Sequence, residues 1–209
     1  MSPSPFPLPH YILAGGRSQR FGSDKARHPI DGTPMLVRVA RAFAPLARHT
    51  TVVAHAVDAY ADLGVVTIAD PTPHAGPLAG LVTAFRHHAD QSRPSPWILL
   101  TSCDLLHPDP AGLAPLAAAL SPHHLAAVYR ADRFAEPFPG LYHRRCADAA
   151  THALRSSRPS FQAFFQGLGP ELCPVTTTTA RHPPFHDMDH PPEPAAPAPP
   201  TDRPREDPH

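Results

Sequence analysis

Three cations stand close together in the segment Gly15-Gly16-Arg17-Ser18-Gln19-Arg20-Phe21-Gly22-Ser23-Asp24-Lys25. Arg17, Arg20 and Lys25 together offset much of the charge of a triphosphate. An arginine fork grips phosphate oxygens in pairs, whereas lysine works as a mobile point charge. Gly15 and Gly16 have no Cβ, so the backbone can turn sharply there and bring its N–H groups against phosphate oxygens. The segment is neither a Walker A loop, having no GK[ST], nor a GxGxxG dinucleotide fingerprint. The competing reading is a basic surface turn. Placement directly behind the apolar run Tyr11 to Ala14 favours a phosphate cradle.

Carboxylates supply the other half of such chemistry. Asp104 closes Thr101-Ser102-Cys103-Asp104, directly behind the apolar Ile98-Leu99-Leu100. Phosphoryl transfer needs magnesium, and Mg2+ takes one or two carboxylates with phosphate oxygens and waters as its remaining ligands. Asp104 could instead cap the next helix, but Pro108 and Asp109 are better placed for that. Asp70, in Ile68-Ala69-Asp70-Pro71, is either a strand-end ligand or the start of an Asp-Pro turn. Asp187 and Asp189 share one face of an extended segment, as a further metal contact or as an exposed acidic pair. Gly76 and Gly80 allow a close backbone approach to a purine, or serve a loop and helix packing.

Other chemistry finds less support. The chain has 16 histidines. Adjacent pairs such as His87-His88 and His123-His124 diverge, Pro183-Pro184 forbids a helix between His182 and His186, and there is no HExxH. Ser18 and Ser102 lack a GxSxG elbow. Cys103, Cys146 and Cys173 form no CxxC pair.

The elements that must hold these residues alternate. Apolar runs at Tyr11–Ala14, Thr51–Ala54, Val65–Ala69, Trp97–Leu100 and Leu125–Tyr129 read as strands, and Phe138–Tyr142 reads as a further strand. Leu36, Val39, Ala40 and Phe43 make a helical stripe, with Pro34 suited to its first turn. Leu78, Leu81, Val82 and Phe85 make a second stripe, Leu113–Leu120 a third helix, and helical segments follow Arg144 and Ser160. This rhythm predicts an α/β fold, a single three-layer domain with a mostly parallel sheet covered on both faces. Ligands of such sheets lie beyond the carboxyl ends of the strands, where Gly15–Lys25, Asp70 and Cys103-Asp104 should meet.

A length of 209 residues suits one domain. Residues 1–9 read as a flexible Pro-rich leader, 10–190 as the domain and 191–209 as a disordered Pro-rich tail. Lys plus Arg number 18, as do Asp plus Glu, so no long-range field gathers nucleic acid or an anionic membrane. Without a run of about 20 apolar residues, a secretion signal or a disulfide framework, the expectation is a cytoplasmic protein with neither nucleic acid nor membrane as partner.

The segment LAGGRSQRFGSDKA resembles the signature loop of nucleotidyltransferases with a glycosyltransferase-A-like Rossmann fold, most closely the molybdenum cofactor guanylyltransferases. IDGTPML at Ile30–Leu36, GPLAG at Gly76–Gly80, Cys103-Asp104 and FHDMD at Phe185–Asp189 agree in order and spacing. Gly15-Gly16 with Asp24-Lys25 and GPLAG points to the guanylyl branch. The sequence departs from the pattern at Ala54-His55, where an Asn is usual, at Phe21 for Met, and at His190-Pro191-Pro192 for Thr-Pro-Glu. The resemblance implies transfer of GMP from GTP to molybdenum-molybdopterin, with Mg2+ as cofactor. It assigns catalysis to Arg17, Arg20, Lys25 and Asp104. Nucleotide binding falls to Leu13, Ala14, Gly15, Gly16, Lys25, Asp70, Gly76, Gly80 and Asp104, and the metal to Asp104 and Asp189. Other cofactor-biosynthesis proteins or molybdoenzyme chaperones are the protein partners it suggests. The alternatives are a sister transferase using CTP or a sugar-phosphate acceptor, a catalytically silent nucleotide sensor or cofactor carrier, and a binding domain with an incidental basic loop.

Overall fold

The computed structural model describes residues 6–14, 24–72, 75–92, 94–131 and 134–176. Strand β1 (Leu8–Leu13) is buried along its whole length, because β4 (Ala47–Ala54) and β6 (Trp97–Ser102) flank it in parallel and helices cover both faces. It begins earlier than the apolar run at Tyr11 suggests and takes in Leu8 and Pro9. A hairpin of β2 (Pro29–Ile30) and β3 (Thr33–Pro34) precedes α1 (Met35–Phe43). Its turn residues Asp31 and Gly32 both have positive φ, 50° and 75°, the backbone that an Asp-Gly hairpin turn requires. Pro34 ends β3 and stands just before the helix, rather than in its first turn.

The chain continues through β5 (Val66–Ala69), α2 (Pro77–Ala89), β6, α3 (Ala114–Ala119), β7 (Ala126–Ala131), β8 (Phe134–His143), α4 (Ala147–Leu154), α5 (Phe161–Leu168) and β9 (Leu172–Thr176). The predicted third helix is divided: Asp109 caps a 3-10 turn over Pro110–Leu113 by accepting from Ala111 N at 2.9 Å, and α3 follows. Seven strands form one sheet in the order β5-β4-β1-β6-β8-β7-β9. All run parallel except β8, which is antiparallel to β6 and β7. The α/β three-layer reading therefore holds.

Alternate strand residues feed two cores. Tyr11 and Leu13 face α2, α4 and α5, whereas Leu8 and Ile12 face α1 and α3. Fully burying each such side chain contributes roughly 1.5–3 kcal/mol. His10 lies in this interior, accepting or donating at Thr101 Oγ1 (2.9 Å). Burial lowers its pKa to about 3, so the imidazole is neutral. Among the described residues, no helix is long and apolar enough to cross a membrane.

Register brings the strand ends level. Leu13 is opposite Val53 on one side and Ser102 on the other, and Ala54 is opposite Ala69. The polar residues that follow these strands therefore emerge along one edge.

Candidate active site

Lys25 and Asp104, 79 residues apart in sequence, meet at that edge. Lys25 Nζ donates to Asp104 Oδ2 at 3.1 Å, and each side chain is only 18% exposed. Ser102 Oγ donates to Asp104 Oδ1 at 2.6 Å. The serine discounted as a nucleophile thus orients the carboxylate. Lys25 is presented by a 3-10 turn, Lys25–Arg27, whose cap is Asp24: its Oδ1 accepts from Ala26 N at 3.0 Å. Behind Asp104, Arg38 of α1 reaches the carbonyl of Leu106 at 3.3 Å and ties the following loop to the helix.

The strand that precedes the glycines is fixed from both sides. Ala14 N donates to Val53 O at 2.9 Å, and Leu13 O accepts from Cys103 N at 3.0 Å. The buried Tyr60 hydroxyl lies 3.2 Å from both Ala14 O and Asp24 Oδ1 and donates to this pair of acceptors. Its pKa is raised, first by burial and then by the Asp24 charge, so it stays a donor. Arg27 lies over the Tyr60 ring, 5.2 Å from its centroid, and forks onto Asp62 at 2.6 and 2.9 Å. Nothing in the local sequence around Tyr60 marks this role, because its partners are remote in the chain.

Asp70 begins a turn and also binds a helix. Its Oδ1 accepts from Thr72 N (2.9 Å), Thr72 Oγ1 (3.1 Å) and Thr83 Oγ1 of α2 (3.0 Å). The strand order puts it two spacings from β1, about 10 Å across the sheet. Gly76 precedes α2 with φ +81° and open space where a Cβ would be, a backbone that other residues adopt only under strain. Gly80 lies inside α2, where a Cβ would come within 2.8 Å of Leu13 Cδ2. The Leu13 side chain is correspondingly buried, which leaves its backbone to the edge.

Of the residues singled out from sequence, Leu13, Ala14, Lys25 and Asp104 come together; Gly80 packs on Leu13 from α2, Gly76 precedes that helix, and Asp70 follows β5 and is tied to α2 through Thr83. Gly15, Gly16, Arg17, Arg20, Asp187 and Asp189 lie outside the described residues. His87 and His88 diverge as the sequence suggested: His87 Nδ1 meets the Tyr11 hydroxyl (2.9 Å) and His88 Nε2 the Ser95 carbonyl (2.7 Å). Cys103 is held as a thiol, since burial, and secondarily the Asp104 charge, raise its pKa.

Among the described residues no group of three or more His, Cys, Asp and Glu could encircle a metal. A lone strand-end carboxylate, steadied by a serine and facing a lysine, suits a hard cation that draws its other ligands from phosphate and water. It does not suit a cation that needs a protein cage.

A mostly parallel sheet with an acidic strand end set against a lysine of the first crossover suits a phosphate-bearing ligand and its cation. Residues 10–169 match the MobA-like NTP transferase domain, and the chain belongs to that family. The molybdenum cofactor guanylyltransferase of Burkholderia ambifaria is 31% identical over 179 residues, covering 79% of this chain and 85% of that one. A protein of Aquifex aeolicus superposes with a TM-score of 0.72 at 19% identity, covering 90% of this chain and 95% of that one. Molybdopterin-guanine dinucleotide biosynthesis protein A of Archaeoglobus fulgidus does so with a TM-score of 0.61 at 17% identity, covering 81% and 83%. The chain is an enzyme of this nucleotidyltransferase class.

Proposed function

We propose that the enzyme transfers GMP from GTP to the phosphate of molybdenum-molybdopterin. An acceptor phosphate oxygen attacks the α-phosphorus, the bond from the α-phosphorus to the bridging oxygen breaks, and pyrophosphate leaves. The product is the guanine dinucleotide form of the cofactor, and no covalent enzyme intermediate is needed. The observation that carries this reading is the Lys25–Asp104 pair, 3.1 Å apart at the carboxyl edge, in a chain whose relatives bear the guanylyltransferase name.

In this reading Lys25 exchanges Asp104 for phosphate oxygens, and Arg17 and Arg20 balance the charge of the departing pyrophosphate. Asp104, held by Ser102, would bind Mg2+, with Asp189 as a further ligand; the ion would supply neutralising charge to the phosphates. Leu13, Ala14, Gly15 and Gly16 would offer backbone groups to the nucleotide, with guanine toward Gly76–Gly80 and Asp70 beside it. Catalysis comes from positioning and from preorganised charge. We further propose that the reaction takes place in the cytoplasm, with cofactor-biosynthesis proteins or molybdoenzyme chaperones receiving the product.

Each preorganised charge contact of this kind is worth about 3 kcal/mol, roughly a hundredfold in rate. Lys25→Ala and Asp104→Ala should therefore fold with nearly unchanged Tm and release pyrophosphate about a hundredfold more slowly at saturating MgGTP and molybdopterin. Near-normal turnover by either variant overturns its assignment. Calorimetry of GTP against CTP with Mg2+ tests the base, and a CTP preference defeats the guanylyl reading. Absence of pyrophosphate release from the wild type would instead favour a silent nucleotide-binding module, the reading to which Ala54 in place of Asn lends support.

A further inference from the structure

The main sheet forks at its carboxyl edge. Pairing of β6 with β8 runs from Trp97–His143 to Leu100–Gly140 and stops. From there β6 continues through Thr101 and Ser102 beside β1. The first part of β8 stays with β7 instead, Glu136 opposite Tyr129 and Ala135 opposite Arg130. Between these stretches the register breaks, and Pro137, Phe138 and Pro139 form a bulge whose Phe138 ring packs on Phe161, 5.4 Å between centroids. The Tyr142 hydroxyl donates to Pro137 O at 2.7 Å and holds the bulge. Gly140 makes it sterically feasible, since a Cβ there would stand 2.6 Å from the Tyr142 ring and 2.8 Å from Pro137 O. Bulges of this kind re-aim side chains beside active sites.

Glu136 stands at the mouth of this fork, across it from β6, which leads into Asp104 two residues past its end. It shares a face with Tyr129, which packs on the α1 and α3 side, whereas its neighbour Ala135 joins the opposite core. The carboxyl is half-buried and has no hydrogen-bond or ion-pair partner among the described residues. Burial raises its pKa. A partly desolvated carboxylate without a partner is costly in the free protein, so a ligand that satisfies it gains accordingly. Two carboxylate oxygens match two parallel N–H donors. A 2-amino-4-oxopyrimidine edge presents such a pair, its ring N–H and its exocyclic amino group.

Both substrates of the proposed reaction carry that edge, one in guanine and one in the pterin. Asp70 follows β5 at one edge of the sheet, whereas Glu136 lies on the β7 side of β6. We propose that Glu136 reads the 2-amino-4-oxopyrimidine edge of the acceptor's pterin and is a specificity-determining residue. The assignment rests on the acceptor named under the proposed function.

Fluorescence titration of the full chain with pterin and with lumazine, which has a carbonyl in place of the 2-amino group, tests it without turnover. Wild type should bind pterin about 10- to 100-fold more tightly than lumazine, the usual range for a hydrogen bond to a charged group. Glu136→Gln should erase that preference and leave the Kd for MgGTP unchanged. The wild-type comparison depends on no variant folding. Equal binding of the two pteridines by wild type, or a preference retained in Glu136→Gln, overturns the assignment. Displacement of pterin by GTP would show that the edge being read is guanine, which also overturns it. If wild type prefers pterin yet forms no guanine dinucleotide, the transfer reaction falls while the role of Glu136 stands.

Discussion

Tyr60→Phe removes a single oxygen from the point where Ala14 and Asp24 are joined, and its effect follows from the acceptors left behind. Asp24 keeps Ala26 N at 3.0 Å and Arg27 Nε at 3.5 Å, so its loss is partial. Ala14 O, in a buried residue, loses its tyrosine donor. The ring is retained, together with its contact to Arg27, so no cavity is created. One buried bond and part of a second amount to about 1.5 kcal/mol, or a fall in Tm of roughly 3–6 °C for a domain of this size. If all of that loss reappears in positioning the residues that follow Ala14 and precede Lys25, the Kd for GTP rises by at most about tenfold. Turnover at saturation should change far less. Differential scanning calorimetry and calorimetric titration of MgGTP measure both quantities. The sign with pH is fixed as well. The pKa of Tyr60 is raised in the folded state, so its contribution is complete below the unfolded value of about 10 and is lost as pH rises above it. Wild type should therefore lose stability above about pH 10 more steeply than Tyr60→Phe. Unchanged Tm and unchanged GTP affinity would refute the idea that this hydroxyl joins the two chain segments.

Gly80→Ala sets helix propensity, about 1 kcal/mol in favour of alanine, against a methyl group 2.8 Å from Leu13 Cδ2 and 3.0 Å from Cδ1. Because Leu13 is itself enclosed, overpacking of about 1–3 kcal/mol should prevail; the variant melts a few degrees lower, and Leu13→Val in the same chain recovers part of the loss. His10, with its pKa lowered by burial to about 3, binds no proton in the folded state where the unfolded chain does. Stability is therefore complete above about pH 6.5 and falls as pH drops toward 3. His49, His87 and His143 are also lowered by burial and act in the same sense. The distinguishing measurement is consequently the slope of Tm between pH 6.5 and 4, which should be shallower in His10→Gln.

The long periodic segments were readable because one physical signal dominates them. Leu36, Val39 and Phe43, and likewise Leu78, Leu81 and Phe85, bury the helical faces that their spacing announces. Strand ends followed from the same reasoning, and they brought Lys25 and Asp104 to one edge. The hairpin at Asp31-Gly32 carried a strong local turn signal that its two-residue strands obscured. β9 escaped because Pro174 argues against a strand. Its place at the sheet edge, paired only with β7, makes the missing N–H tolerable. Tyr60 and the fork beside Glu136 were invisible for another reason. The hydroxyl acts 46 residues away on Ala14, and the fork exists only as the point where two pairings part, so neither leaves a periodic trace in the chain.

The Lys25–Asp104 contact gives this edge of the sheet a particular discrimination. A simple anion could capture the ammonium only by abandoning a carboxylate at its own doorstep, and a simple cation would face the converse difficulty. A guest bearing both signs, negative oxygens alongside a positive centre, releases the two side chains from each other and provides each with a new companion. Ordinary phosphate and free magnesium, both abundant in cells, should thus be poor inhibitors individually. The latch opens to a combined charge pattern that neither ion displays alone.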